Sequence, residues 1–152
     1  GLEYEVVPGV SSFLGAAAAL KAEYTLPDVS QTVILTRLEG RTPVPAKEDM
    51  AKLAVHNASM VVFLSAGMLE ELSQRLIAGG YAPTTPAAIV YKATWPDQKV
   101  VRTTVKDLAQ AAAANGIRKT ALILVGDFLG SKYSRSKLYD PSFTHEYREA
   151  SQ

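Results

Sequence analysis

Hydrophobic positions along this chain follow two rhythms. Short, almost unbroken apolar runs lie at residues 32–36, 60–64, 87–91 and 121–125, built largely from Val, Ile, Leu, Met and Phe. Continuous rather than alternating hydrophobicity predicts strands covered on both faces. Residues 3–7 carry Tyr4, Val6 and Val7 and stop at Pro8-Gly9, which predicts a further strand closed by a turn. Residues 99–104 are predicted to pair with 87–91 as a hairpin across Trp95-Pro96-Asp97. Between these runs the apolar positions return every third or fourth residue, the period of a helix. Residues 13–23, with alanine at each of 16–19, predict a helix capped by Ser11 or Ser12. Three more helices are predicted over residues 46–56, 68–78 and 105–114. The second of these uses Met68, Leu69, Leu72 and Leu76 and stops at Gly79-Gly80; the third stops at Asn115-Gly116.

Buried strands alternating with helices give an α/β fold: a three-layer αβα domain around a mixed, mostly parallel sheet of about five to six strands. Ligands of such sheets sit where strands end at their carboxyl edge. That rule selects residues 8–12, 37–41, 65–67, 93–95 and 126–127 as candidate site segments.

Composition narrows the class. The chain has 152 residues, enough for one domain with a substantial core, and 47% hydrophobic against 20% charged residues argues against disorder. Sixteen basic and fifteen acidic residues leave a formal charge of +1, so bulk charge provides no nucleic-acid surface. Cysteine is absent, which excludes disulfides, a thiolate nucleophile and thiolate metal sites, and is compatible with the cytoplasm. No apolar run approaches the roughly 20 residues of a membrane span, and no basic, apolar leader opens the chain, so no membrane association is expected. Opening directly in a predicted strand, the chain is expected to start inside a longer polypeptide.

The usual reactive constellations are missing. His56 and His145 are the two histidines, 89 positions apart, and neither has a second histidine at i+4, so no metal site is expected. No Walker loop, Gly-x-Gly-x-x-Gly or nucleophile elbow occurs. The turn Pro8-Gly9-Val10-Ser11-Ser12 feeds a helix start with free N–H groups and hydroxyls; its spacing favours an ordinary strand-to-helix turn, with an anion site as the alternative. Arg37 and Arg41 flank Glu39 and Gly40 after a strand, a placement suited either to binding ligand carboxylates or to local ion pairs in a solvated loop. Residue chemistry alone therefore stops at an anion-binding edge.

Longer words in the sequence are more specific. Val6-Val7-Pro8-Gly9-Val10-Ser11-Ser12 resembles the start of the C-terminal domain in the S-adenosylmethionine-dependent tetrapyrrole methylases. Residues 36–45 (Thr36-Arg37-Leu38-Glu39-Gly40-Arg41-Thr42-Pro43-Val44-Pro45), then 53–56 and 60–65, resemble one branch of it, the precorrin-4 / cobalt-precorrin-4 C11-methyltransferases of cobalamin biosynthesis. Residues 136–140 and 144–148 resemble that branch's carboxyl-terminal signature. The likeness covers nearly the whole chain, and the order and spacing of the words carry it.

The resemblance implies that residues 1–130 are the C-terminal domain of such a methylase and 131–152 a tail. The N-terminal domain, with its Gly-Asp-Pro-containing cofactor loop, has no counterpart here. The methyl donor then lies between two domains, and this chain supplies half of its site and is expected to be inactive alone. Carried over by position, the cofactor contacts are Ser11, Ser12, Leu64, Ser65, Ala93, Thr120 and Ala121. Arg37 and Arg41 are assigned to the acetate and propionate groups of the tetrapyrrole substrate. The implied reaction is displacement, a nucleophilic ring carbon attacking the sulfonium methyl, which needs chiefly alignment. No catalytic residue is assigned. A cytoplasmic homodimer is expected, with helix 13–23 a candidate interface. Two alternatives stand beside this reading: an isolated, non-catalytic binding or dimerisation domain, and a sister methylase acting at another ring carbon or on diphthamide.

Overall fold

The chain is described from a computed structural model, which covers all residues except 135, 137–139, 145, 147–148 and 150–152. Much of the carboxyl-terminal signature, including His145, lies outside the described residues. Each apolar run forms a strand: β1 (Val33–Arg37), β2 (Ser59–Phe63), β3 (Pro86–Tyr91), β4 (Lys99–Thr104) and β5 (Ala121–Val125). They form one five-stranded sheet in the order β1-β2-β5-β3-β4.

The sheet is mixed, as the pattern predicts, but its parallel share is smaller than expected. β1 and β2 pair in parallel, whereas β2–β5, β5–β3 and β3–β4 are antiparallel. The cause is the β3–β4 hairpin. It reverses the chain, and α4 (Leu108–Ala114) then carries the reversed direction across β3 into β5. A second expectation also fails. Residues 3–7 form no strand, and Leu2 (96% exposed), Tyr4 (90%) and Val6 (80%) face solvent. β-propensity selects no strand without a backbone partner, and this segment has none in the sheet.

Helices cover both faces, giving the three expected layers. On one face α2 (Met50–Ala54), α3 (Leu69–Ala78) and α4 bury Met50, Leu72, Leu76 and Leu108 against Met60, Val62, Ile89, Ile123 and Val125. On the other, α1 (Ser12–Leu20) buries Ala16 and Leu20 with Tyr24 and Phe128 against Val61, Val90, Leu122 and Leu124. Two helices are shorter than their periodicity predicts. α1 stops where Lys21 turns left-handed (φ 52°). The segment 46–56 breaks at Asp49, extended at φ −53°, ψ 138°. Asp49 then caps α2 by accepting from the Ala51 N–H at 2.9 Å and pairs with Arg75 of α3 at 2.8 Å.

Buried tyrosines fasten the layers. Tyr24 donates to the Phe13 carbonyl at 2.6 Å, and Tyr81 donates to the Ala58 carbonyl. Burial pushes both hydroxyls up to about 12, with Asp127 adding to the effect at Tyr81.

α2 and α3 meet at Gly79, where an added Cβ would lie 2.4 Å from both the Ala51 carbonyl oxygen and the Ala54 Cβ. Gly79→Ala must force the helices apart and is expected to cost about 1–3 kcal/mol. Urea unfolding measures this, and an unchanged midpoint would mean that the two helices are not in contact there.

Candidate functional site

The carboxyl ends of β2 and β3 and the amino end of β5 open on one cleft of about 390 Å³, within the size range of small-molecule sites. Its walls carry Phe63, Leu64, Val90, Ala93, Trp95 and Leu122, with Ser12 of α1 at one side and Lys92, Arg118, Lys119, Thr120 and Ala121 at the other. A larger groove of about 630 Å³ lies at the opposite, amino-terminal end of β1 and β2, beside His56, and gathers no comparable cluster.

The cleft is shaped by unusual backbone. Leu64 (φ 54°), Lys92 (φ 46°) and Thr120 (φ 58°) all line it in the left-handed region, and Thr94 (φ 72°) adjoins it. None is glycine, so each conformation costs on the order of 1–3 kcal/mol and persists because its surroundings impose it. The Lys92 N–H donates to the Thr120 carbonyl at 3.0 Å, linking the ends of β3 and β5. The Trp95 N–H returns to the Lys92 carbonyl at 3.0 Å, and the Thr94 N–H donates to the Gln98 side chain at 2.7 Å. α1 approaches this turn closely, since a Cβ on Gly15 would sit 3.7 Å from the Ala93 Cβ.

At the rim the Lys92 ammonium stands 5.1 Å from the Tyr91 ring centroid, 5.3 Å from that of Trp95, and 2.6 Å from an Asp97 carboxylate oxygen. The hydrogen bond to Asp97 raises the Lys92 pKa, and the same bond lowers that of Asp97.

Next to the cleft, and sharing Leu64 with it, is a smaller pocket of about 290 Å³ bounded by Arg37, Gly40, Arg41 and Met68. Arg37 holds the shape of its own loop, donating to the carbonyls of Leu38, Thr42 and Pro43 at 3.3, 3.1 and 2.8 Å. Among the described residues, no Asp or Glu lines either cavity.

Of the residues assigned from the sequence, the structure brings Ser12, Leu64, Ala93, Thr120 and Ala121 together in the cleft and puts Arg37 and Arg41 in the adjoining pocket. Ser11 stays outside the lining, and its carbonyl caps α1 by accepting from Leu14 and Gly15. Ser65 is fully buried. Its hydroxyl accepts from the Leu38 N–H at 3.0 Å and donates to the Phe63 carbonyl at 2.8 Å, fixing the ends of β1 and β2 side by side. The segment 126–127 follows the far end of β5, because that strand runs against its neighbours. For the same reason Arg118 and Lys119 line the cleft although the residue reading passed over them; the available signal was a basic pair directly before a buried strand. Lys92 was passed over as the residue after a strand, whereas Trp95 falls in the candidate segment 93–95 and does line the cleft.

Residues 1–109 match the family model described as Tetrapyrrole (Corrin/Porphyrin) Methylases. A curated cobalt-precorrin-4 C(11)-methyltransferase from Methanocaldococcus jannaschii is 53% identical over 151 residues, covering 99% of this chain and 58% of that protein. The chain thus spans little more than half the length of that relative. Among solved structures, the X-ray structure of a cobalamin biosynthetic enzyme, cobalt precorrin-4 methyltransferase, superposes with TM-score 0.82 at 54% identity, over 84% of this chain and 53% of that one. A uroporphyrin-III C-methyl transferase from Thermus thermophilus, complexed with S-adenyl homocysteine, shares the fold at TM-score 0.65 and 20% identity, over 83% of this chain and 51% of that one.

Two outcomes test the site's construction. Ser65→Ala strands the buried Leu38 N–H and is expected to lower stability by about 1–3 kcal/mol in chemical denaturation; a change within error would show that water reaches that amide. The Lys92–Asp97 contact is expected to hold across neutral pH. It should loosen as acid takes the pH down through the lowered Asp97 pKa, below the ordinary carboxylate value of about 3.9, and at the alkaline end above the raised Lys92 pKa. Trp95 is the single tryptophan, so its fluorescence reports this directly. An acid step that survives Asp97→Asn would assign the change to another group.

Proposed function

The chain belongs to the tetrapyrrole (corrin/porphyrin) methylases, and from that premise we propose that it is the C-terminal half of an enzyme that transfers methyl from S-adenosylmethionine to C11 of precorrin-4 or cobalt-precorrin-4. The carrying observation is the cleft at the junction of β2, β3 and β5, which gathers five of the assigned cofactor contacts. Likeness to C11-methyltransferases over 99% of the chain supports the branch, and 58% coverage of that relative supports a second, N-terminal domain outside residues 1–130.

The cleft fits the donor. Its walls are apolar, with Phe63 and Trp95 available to an adenosyl group, and the small side chains of Ser12, Ala93 and Ala121 let a ligand approach the backbone. Bound there, the donor would supply an electrophilic sulfonium methyl group. Residues of this chain orient and exclude: Leu64, Ala93, Thr120 and Ala121 line the donor's pocket, while Ser11 and Ser65 hold α1 and the strand ends that frame it. Arg41 and the loop held by Arg37 meet the carboxylates of the macrocycle. Nothing in this division of labour requires a general base from this chain, because fixing two reactive partners can itself supply about 7–11 kcal/mol of barrier lowering.

The reading extends to a cytoplasmic homodimer. No helix among the described residues is long and apolar enough to cross a membrane, and α1 leaves Leu14 and Ala18 exposed after burying Ala16 and Leu20.

Methyl transfer from isotopically labelled S-adenosylmethionine to cobalt-precorrin-4 tests the proposal. Joined to the N-terminal part of the Methanocaldococcus jannaschii relative, the chain is expected to label the macrocycle at C11, and the 152-residue chain alone to give no turnover and weak S-adenosylhomocysteine binding by calorimetry. Labelling at another carbon would reassign the branch. Tight binding by the chain alone would remove the half-site.

A further inference from the structure

Building on the reading of the cleft as a methyl-donor and tetrapyrrole site, we propose that Arg118 and Lys119, on the loop entering β5, form an anion subsite that binds a ligand carboxylate across Leu64 from the Arg37/Arg41 pocket. The first ground is that their charges are uncommitted. Among the described residues, the ion pairs engage Arg75 and Lys92, and Arg37 and Arg102 donate to backbone carbonyls. Neither the Arg118 nor the Lys119 side chain has such a partner, although both line the cleft.

The second ground is the distribution of acids. The chain holds fifteen Asp and Glu beside sixteen Lys and Arg, yet among the described residues no acid lines the two adjoining cavities; with Lys92 paired to Asp97 at the rim, Arg118, Lys119, Arg37 and Arg41 remain as their cationic lining. Near-neutral composition does not produce that segregation by itself. Arg118 and Lys119, adjacent in the chain and both exposed, repel each other, and an anionic ligand relieves the repulsion.

The third ground is that the backbone under these side chains is fixed. A Cβ on Gly67 would lie 3.7 Å from the Arg118 carbonyl oxygen, so the loop after β2 packs on this segment. One residue further on, Thr120 is left-handed and its carbonyl is held by the Lys92 N–H at 3.0 Å. Two free cationic side chains on a constrained loop form a preorganised receptor, and the planar guanidinium of Arg118 matches a carboxylate bidentately.

The carboxylate has two possible sources in the proposed reaction: the amino-acid end of the methyl donor and the acidic side arms of the macrocycle. Titrations separate them. Trp95 lines the same cleft, so its fluorescence follows binding of S-adenosylhomocysteine and, separately, of uroporphyrin, a tetrapyrrole octacarboxylate. Both are measured on the 152-residue chain and on the chain joined to the relative's N-terminal part. The Arg118→Gln/Lys119→Gln double variant is expected to bind one of the two about tenfold or more weakly, with a shallower salt dependence, and the other unchanged. Loss confined to S-adenosylhomocysteine assigns the donor's carboxylate, and loss confined to uroporphyrin assigns the macrocycle's. Arg118→Lys is expected to recover part of the loss, and an unchanged thermal midpoint confirms folding. Affinities within about twofold of the unsubstituted protein for both ligands would overturn the subsite. If the unsubstituted protein binds neither ligand in either form, the donor-site reading fails first and the subsite with it.

Discussion

Everything in this domain is organised around β5, the central strand, and the direction in which it runs. Ile123, Leu124 and Val125 are fully buried, and alternate residues serve opposite cores: Ile123 and Val125 face α2–α4, Leu122 and Leu124 face α1. Each such side chain contributes about 1.5–3 kcal/mol on burial, and a one-residue slip would exchange the two sets. Register is therefore tightly imposed, with Ile123 opposite both Val62 and Ile89. Because β5 opposes its neighbours, its amino end rather than its carboxyl end opens on the cleft. One strand's direction thus decides which loop contributes to the site.

The stability supplied by that core is partly spent at the cleft. Leu64, Lys92, Thr94 and Thr120 hold left-handed backbone without being glycine. Such conformations cluster where a fold over-determines its loops, and they keep a site in one shape before a ligand arrives. The buried Ser65 hydroxyl and the Lys92-to-Thr120 hydrogen bond are the local restraints. Leu64, 84% exposed between the cleft and the arginine pocket, is an apolar side chain left at the boundary of two ligand-sized spaces.

Much of the architecture is legible in the residues. Continuous apolar runs marked β1, β2, β3 and β5, Trp95-Pro96-Asp97 marked the hairpin turn, and Gly79-Gly80 marked the end of α3. Residues 3–7 misled because side-chain propensity was right for a strand and the backbone partner was missing. The helix over 46–56 misled because Asp49 is worth more as a cap and as a partner of Arg75 than as one more helical residue. In the site, Ala93 fell within a segment picked by the strand-end rule, but Leu64, Thr120 and Ala121 were found through resemblance alone, since small and apolar residues carry no chemical signal of their own.

By itself the sequence determined the alternation of elements, the two-faced burial of the sheet and the likeness that names the family, because these depend on local periodicity and on ordered words. Tertiary structure alone decided which loops share a cleft. Strand direction and neighbour order arise from the β3–β4 reversal and the α4 crossover, and no local pattern encodes them. That is why Arg118 and Lys119 join Leu64 and Ala93, while Gly126 and Asp127, equally well placed by the one-dimensional rule, lie at the other end of the sheet.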